Sequence, residues 1–249
     1  MASHEMESSS ANRSDESRQL RDEKLKSLKR LAYGASHEIN NPLANIASRA
    51  QALLLGEKDP DRRHELATIY AQAMRGHEMI ADLMLFARPP APQLAECSLD
   101  RIATDAVQQM QSAAQQQQTD LKLEIPSETT TLTADANLLT LAAAALIRNA
   151  LEALKHGGQV EVTLAADEEV ATLAVQDDGP GIADEMADVV FDPFHSGREA
   201  GRGLGFGLTK CWTIAKAHGG DTYVDTAFGP GARIVLEIPL HPKINNESE

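Results

Sequence analysis

Two cysteines, one tryptophan and few aromatics of any kind occur in this chain of 249 residues, and each scarcity excludes something. Cys97 and Cys211 have neither a paired framework nor metal-ligand spacing, so the chain reads as one kept in a reducing compartment rather than as a disulfide scaffold. An aromatic share of 4%, beside abundant Ala, Leu and Gln, favours helix-rich packing over an all-β sandwich. Positive charge is short too: 23 Lys and Arg stand against 37 Asp and Glu, a formal charge of −14. Nucleic acid and anionic membrane surfaces are bound through clustered basic residues, so neither is an expected partner. No apolar run reaches the roughly 18 residues that cross a bilayer, so no membrane span is expected. No secretory signal is visible, and the expected location is cytoplasmic, with the chain readable as the cytosolic part of something longer. Neither a Walker P-loop nor a Rossmann βαβ setting is present.

What the chain does have is two regions of different pattern. The first 14 residues, rich in Ser, Glu and Asn, are expected to be disordered. From about Ser17 to Leu55, apolar residues recur at steps of three and four (Leu25, Leu28, Ala32, Ala35, Ile39, Leu43, Ile46, Ala50, Leu53), one stripe along a helix. At 1.5 Å per residue that helix would be a rod of about 60 Å, which cannot bury its stripe alone. Gly56 to Pro60 reads as a turn, and a second stripe follows through Leu66, Ile69, Ala73, His77, Ile80, Leu83 and Ala87. Two antiparallel helices leave half of each stripe wet, so the hairpin over 15–88 is expected to form a homodimer, a four-helix bundle.

Arg88-Pro89-Pro90-Ala91-Pro92 forbids helix and favours a short extended link, which sets a linker over 89–93 and a second domain over 94–240, with a tail over 241–249. In that domain Ser98 can cap a helix running to the glutamines at 115–118, and Asp135 a helix running through Leu154 that Gly157 and Gly158 end. Strands are expected at Leu121 to Ile125, Val160 to Leu164, Ala171 to Val175, Tyr223 to Thr226 and Arg233 to Ile238, with a helix from Leu208 to His218. One sheet and one helical layer make this an α/β sandwich, and the fold class of the whole chain is α+β.

Two groups of residues carry chemistry. His37 lies two residues from both Ala35 and Ile39, about 200° round the helix from each, on the outer face with Asn41, Ala44 and Ser48. Glu38 can accept a hydrogen bond from one ring nitrogen and leave the other free to attack. Asn41 can orient a water, and Pro42 removes a backbone donor and should loosen the helix there. Far downstream, Asn149 offers a side-chain oxygen suited to Mg²⁺ on nucleotide phosphates. Asp177, Gly179 and Gly181 could hold a base edge beneath a flat ring. Gly203, Gly205 and Gly207 precede a helix, where backbone N–H groups attract phosphate.

In this order and spacing the motifs resemble a known family. Ser36-His37-Glu38-Ile39-Asn40-Asn41-Pro42 resembles the H-box of bacterial two-component sensor histidine kinases. The downstream boxes resemble the Bergerat-type ATPase domain those kinases share with gyrase, heat-shock chaperones of the same superfamily and MutL, with Phe191-Asp192-Pro193-Phe194 matching its phenylalanine box. The resemblance implies ATP and Mg²⁺ as cofactors, His37 as phospho-acceptor, Glu38 as general base and Asn41 as the water-positioning residue of a phosphatase activity. It implies Asn149 on Mg²⁺, Asp177 on the adenine amino group, and Gly179, Gly181, Gly203, Gly205 and Gly207 shaping the pocket. Glu152, Ile182, Phe194, Leu204, Phe206 and Leu208 complete the nucleotide-binding set, and Ala183 to Arg202 would be the ATP lid. Arg198 is the first candidate for a γ-phosphate contact and Arg202 the second, although both also read as solvated lid charges. A response-regulator receiver domain and an upstream sensor module absent from this chain are the implied partners.

Two departures narrow the reading. Ala145 stands where gyrase-like ATPases carry a catalytic Glu, which disfavours an ATP-driven machine and leaves histidine as acceptor. His195 and Ser196 replace a more usual aromatic and Thr. A dimeric scaffold that binds nucleotide without transfer is the remaining rival, and an intact His37-Glu38 pair speaks against it.

Overall fold

The structure, a computed structural model, describes residues 27, 29–30, 32–36, 38–193 and 205–242. The segment over 1–14, the expected helix start near Ser17, His37, lid residues 194–202, Gly203, Leu204 and the tail beyond 242 lie outside the described residues. The chain divides after Arg88 into two units.

In the first unit, residues 27, 29–30, 32–36 and 38–56 are helical, and 38–56 is here called α1. Pro42 does not end it, although the ring leaves the carbonyl of Glu38 without its usual N–H. Asp59 starts α2 (Pro60–Ala87): its carboxylate accepts from the N–H groups of Asp61 at 3.0 Å and Arg62 at 3.1 Å, and Pro60 fills the first turn, where no N–H is needed. Small residues line the inside. Ala32, Ala47, Ala50 and Ala73 are buried with Ile80 and Phe86, and Gly76 backs onto Leu43, whose Cδ1 would lie 3.1 Å from a Cβ there. Lys29 stands over the Phe86 ring at 5.3 Å, and Arg88 over the Tyr33 ring at 5.6 Å.

Among the described residues, part of the apolar stripe stays exposed. Ile39, Ile46 and Leu53, seven residues apart, are 43%, 46% and 60% exposed, and Ile69 on α2 is 48% exposed. A heptad row of this kind is a seam without its partner. His77, expected in the buried stripe of α2, is instead exposed, and its Nδ1 lies 2.9 Å from Asn40 Oδ1 across the hairpin.

The second unit is a layer of three helices on a mixed sheet. Its elements run β1 (Ala95–Ser98), α3 (Leu99–Gln116), β2 (Asp120–Glu124), β3 (Thr131–Ala134), α4 (Ala136–Leu154), β4 (Gln159–Ala166), β5 (Val170–Asp177), a 3₁₀ turn (Asp184–Met186), α5 (Phe206–Ala217), β6 (Asp221–Val224) and β7 (Ala232–Pro239). The five-stranded sheet has the order β2-β4-β5-β7-β6, with β2 parallel to β4 and the other pairs antiparallel. β4 and β5 are neighbours, as their alternation predicts, in the register Val162 to Val175. Ala171, Leu173, Val175 and Asp177 are buried at every second position of β5, the period-two pattern of a sheet face in a core, and Ala174 on the other face is buried too. Ser98 and Asp135 cap α3 and α4 as expected.

Sequence periodicity does not reveal the small antiparallel pair β1–β3, four residues each, because four residues carry too few alternations. β6 begins two residues earlier than its expected start at Tyr223. α4 stops at Lys155, which takes φ 62°, ahead of the two glycines expected to end it. By length and mean composition α4 alone among the described helices could cross a membrane, although Asn137, Thr140, Arg148, Asn149 and Glu152 interrupt its apolar residues. Its composition reflects a core position, since Ala142, Ala143, Leu146, Ile147 and Ala150 are buried and the helix packs against α3, α5 and β5.

Candidate functional site

The site grows from the carboxyl end of β5. Asp177 is the last residue of that strand, 5% exposed, and its Oδ1 accepts the N–H of Gly179 at 2.9 Å. Burial pushes its pKa up, the N–H groups of Gly179 and Ala232 pull it back down, and the neighbouring Asp178 charge adds to the rise. A carboxylate at a strand end held by two backbone N–H groups still has lone pairs to offer a further donor.

The backbone around it is shaped by close approaches. Gly181 has φ 78°, and a Cβ there would lie 3.0 Å from the carbonyl oxygen of Gly231, so the loop after β5 runs against the turn before β7. Asp178 turns the other way: its Oδ1 accepts the N–H of Gln159 at 2.8 Å and ties the loop to the start of β4. Ile182 is half-buried and follows directly.

α4 brings its carboxyl end to the same loop, for Leu154 Cδ2 would touch a Cβ on Gly179 at 3.4 Å. Asn149, half-buried, and Glu152, exposed, lie on that last stretch of α4, and both are engaged by other groups. Ala145 is one turn before Asn149 and offers no acid at that level of the helix. Among the described residues no cluster of three His, Cys, Asp or Glu could hold a metal by itself. The side chain of Asn149 could supply a cation with one oxygen ligand at most.

The second glycine stretch opens α5. Gly205 is the N-cap in the left-handed region, φ 75°, without a side-chain cap, so no side chain of the cap occupies the first-turn N–H groups of α5. Phe206 and Leu208 are buried and serve packing, whereas a Cβ on Gly207 would meet nothing. What this turn offers is backbone. Phe194, Arg198, Arg202, Gly203 and Leu204 lie outside the described residues, as does His37; Glu38 and Asn41 are exposed on α1. Sequence reading missed Gly231. A lone glycine in a Gly-Pro-Gly turn signals only a turn, and its need arises from a strand far away in sequence.

Comparison with known proteins places both halves. Residues 27–92 match the family model of the His Kinase A (phospho-acceptor) domain, and residues 134–242 match that of the histidine kinase-, DNA gyrase B- and HSP90-like ATPase. The chain is 28% identical over 236 residues to the signal transduction histidine-protein kinase AtoS of Escherichia coli K12, covering 94% of this chain and 38% of AtoS. It spans half or less of the curated relatives it matches most strongly. Full-length ShkA, solved with AMPPNP, superposes with TM-score 0.74 at 22% identity over 86% of this chain and 46% of that one. Histidine kinase ThkA, solved with the response regulator TrrA, gives 0.64 at 21% identity over 88% of this chain and 64% of its own.

Proposed function

The chain carries the two-domain catalytic core of a sensor histidine kinase, and from that premise we propose that it uses ATP to phosphorylate His37 and passes the phosphoryl group to an aspartate of a response-regulator receiver domain. The observation that carries this reading is the buried Asp177 acceptor, with its glycine loop, in the same chain as the Ser36 to Pro42 motif. In the reading, Asp177 accepts from the adenine amino group. Gly179, Gly181 and Ile182 border the ring, and the opening turn of α5 receives phosphate oxygens through its N–H groups. The fold shared with ShkA, whose structure holds AMPPNP, supports a nucleotide there. Asn149 would hold Mg²⁺ on the phosphates, and the ion would supply charge neutralisation when bound.

His37 then attacks the γ-phosphorus in line, an N–P bond forms as the bond to the β,γ-bridging oxygen breaks, and ADP leaves. Glu38 takes the ring proton. ThkA, which has this fold, was solved with a response regulator, and that supports a receiver domain as the next acceptor. The open row of Ile39, Ile46, Leu53 and Ile69 supports a homodimer, in which a second copy would cover it. The relatives extend well beyond the matched core, which fits an upstream sensor module as the source of the signal.

Incubation with γ-labelled ATP, followed by acid or alkali, tests the reaction. Label lost in acid and retained in alkali is expected. Steady hydrolysis with no labelled protein would instead indicate an ATP-driven machine, and nucleotide binding alone a scaffold. Asn41→Ala should leave labelling of the chain within about twofold and lower dephosphorylation of the regulator about tenfold or more, within the range of a positioned proton-transfer or water-orienting group. An unchanged dephosphorylation rate would remove Asn41 from that role.

A further inference from the structure

One carboxylate in the second unit does two separable jobs. Asp135 Oδ1 caps α4, accepting the N–H groups of Asn137 and Leu138, both at 3.1 Å. Its Oδ2 accepts the N–H of Gln93 at 2.9 Å, and Gln93 is the last residue of the proline-rich linker. The backbone N–H of Asp135 itself donates to His218 Nε2 at 3.0 Å. That histidine is 1% exposed, and its Nδ1 is 2.8 Å from the carbonyl of Ile214 on α5. Nε2 must therefore accept and Nδ1 donate, which fixes the tautomer. Asp135 thus joins the linker to α4, which carries Asn149, and to α5, which opens with the second glycine stretch.

We propose that Asp135 is a positioning residue for phosphoryl transfer, its Oδ2 clasping the Gln93 amide so that the free linker ends there and the tether stays short. This deepens the function proposed above and rests on it. Without the clasp, the first backbone pairing after the linker is Ala95 with Ala134. The tether then gains Gln93 and Leu94, about 6 Å of extended chain at about 3.1 Å per residue. In-line transfer depends on orientation, so a longer and looser tether lowers the share of productive encounters without altering the nucleotide site.

Asp135→Asn separates the two jobs, because an Asn side chain keeps one acceptor oxygen for the cap and turns an NH₂ group toward Gln93. In the full chain, the Gln93 amide should exchange with solvent about tenfold faster or more, while Asn137 and Leu138 stay protected. At saturating ATP the initial rate of His37 labelling should fall about fivefold or more, with KM for ATP moving less than twofold. Gln93→Pro deletes the donor from the other side; it should give the same fall, and the double variant no further one. A labelling rate unchanged or raised once the Gln93 amide is freed would overturn the positioning role, and so would a fall carried by KM. Rapid exchange of Gln93 in the parent would remove the clasp itself. That readout needs no activity, so its failure is distinguishable from a parent protein that takes no label, which would remove the kinase reading and the positioning role together.

Discussion

Asp177→Asn is expected to weaken ATP and ADP binding about 10–100-fold, the loss of one charge-assisted hydrogen bond of about 1.5–3 kcal/mol. The substitution keeps the shape of the side chain, so the effect isolates acceptor count. A carboxylate offers acceptors on both oxygens, and the N–H of Gly179 takes one of them at Oδ1. An amide offers one acceptor oxygen and turns an NH₂ group to the other side. Either Gly179 or the adenine amino group must then face an NH₂ group, and the ligand is the one that can leave. The apo fold should not suffer. Burial holds the Asp177 pKa above its ordinary 3.8, so its linkage term stabilises the fold at low pH and is lost as pH rises through the folded value. At neutral pH the buried charge is a cost, and the Asn variant should melt no lower than the parent at pH 7. Calorimetric titration with ADP and a thermal melt check both halves. Full affinity in the variant would contradict the site.

Gly231→Ala should destabilise the second unit by about 2–5 kcal/mol, combining about 1–2 for a left-handed non-glycine residue with about 1–3 for overpacking. Gly231 has φ 99°, and a Cβ there would overlap the carbonyl oxygen of Asp177 and approach Asp178 Cα at 3.1 Å. Both are backbone atoms, so no side chain can swing away. Asp177 pairs with Ala232 in the β5–β7 ladder, so the strain falls on the strand end that holds the site. Denaturant unfolding of the second unit should show the loss, and nucleotide affinity should drop with it. A variant as stable as the parent would mean the turn before β7 can move away from β5 without loss. Gly207→Ala is the internal contrast, because that position has open space around it and an ordinary φ.

The contrast shows where sequence is readable. Helices with a cap and a long stripe could be placed from sequence: Ser98 and Asp135 are N-caps, and α3 and α4 run where their apolar spacing puts them. Strands such as β4 and β5 announce themselves by the alternation at Val160 to Leu164 and Ala171 to Val175, within strands of eight residues. The β1–β3 pair was hidden because its partners are 33 to 39 residues apart and each strand has only four residues. His77 was misplaced for a different reason. A helical stripe is an angular sector, and which edge of it faces a neighbour is decided by packing rather than by period. Here small residues such as Ala47, Ala73 and Gly76 set the close face, and His77 lies outside it, against Asn40. The functional motifs were legible as ordered strings. What no string contains is a contact such as Gln93 to Asp135, 42 residues apart and made by an N–H that every residue but proline carries.

Everything proposed for the reaction depends on the imidazole of His37 receiving the terminal phosphate of ATP. Mass spectrometry at neutral pH, on the intact chain after incubation with ATP and Mg²⁺, reads that atom directly. The expected result is one added phosphate per chain, located to the peptide holding Ser36 to Pro42 and absent in His37→Ala, which should still bind ATP. A folded, nucleotide-bound chain with His37 unmodified would contradict it, and so would phosphate found on Ser36 instead.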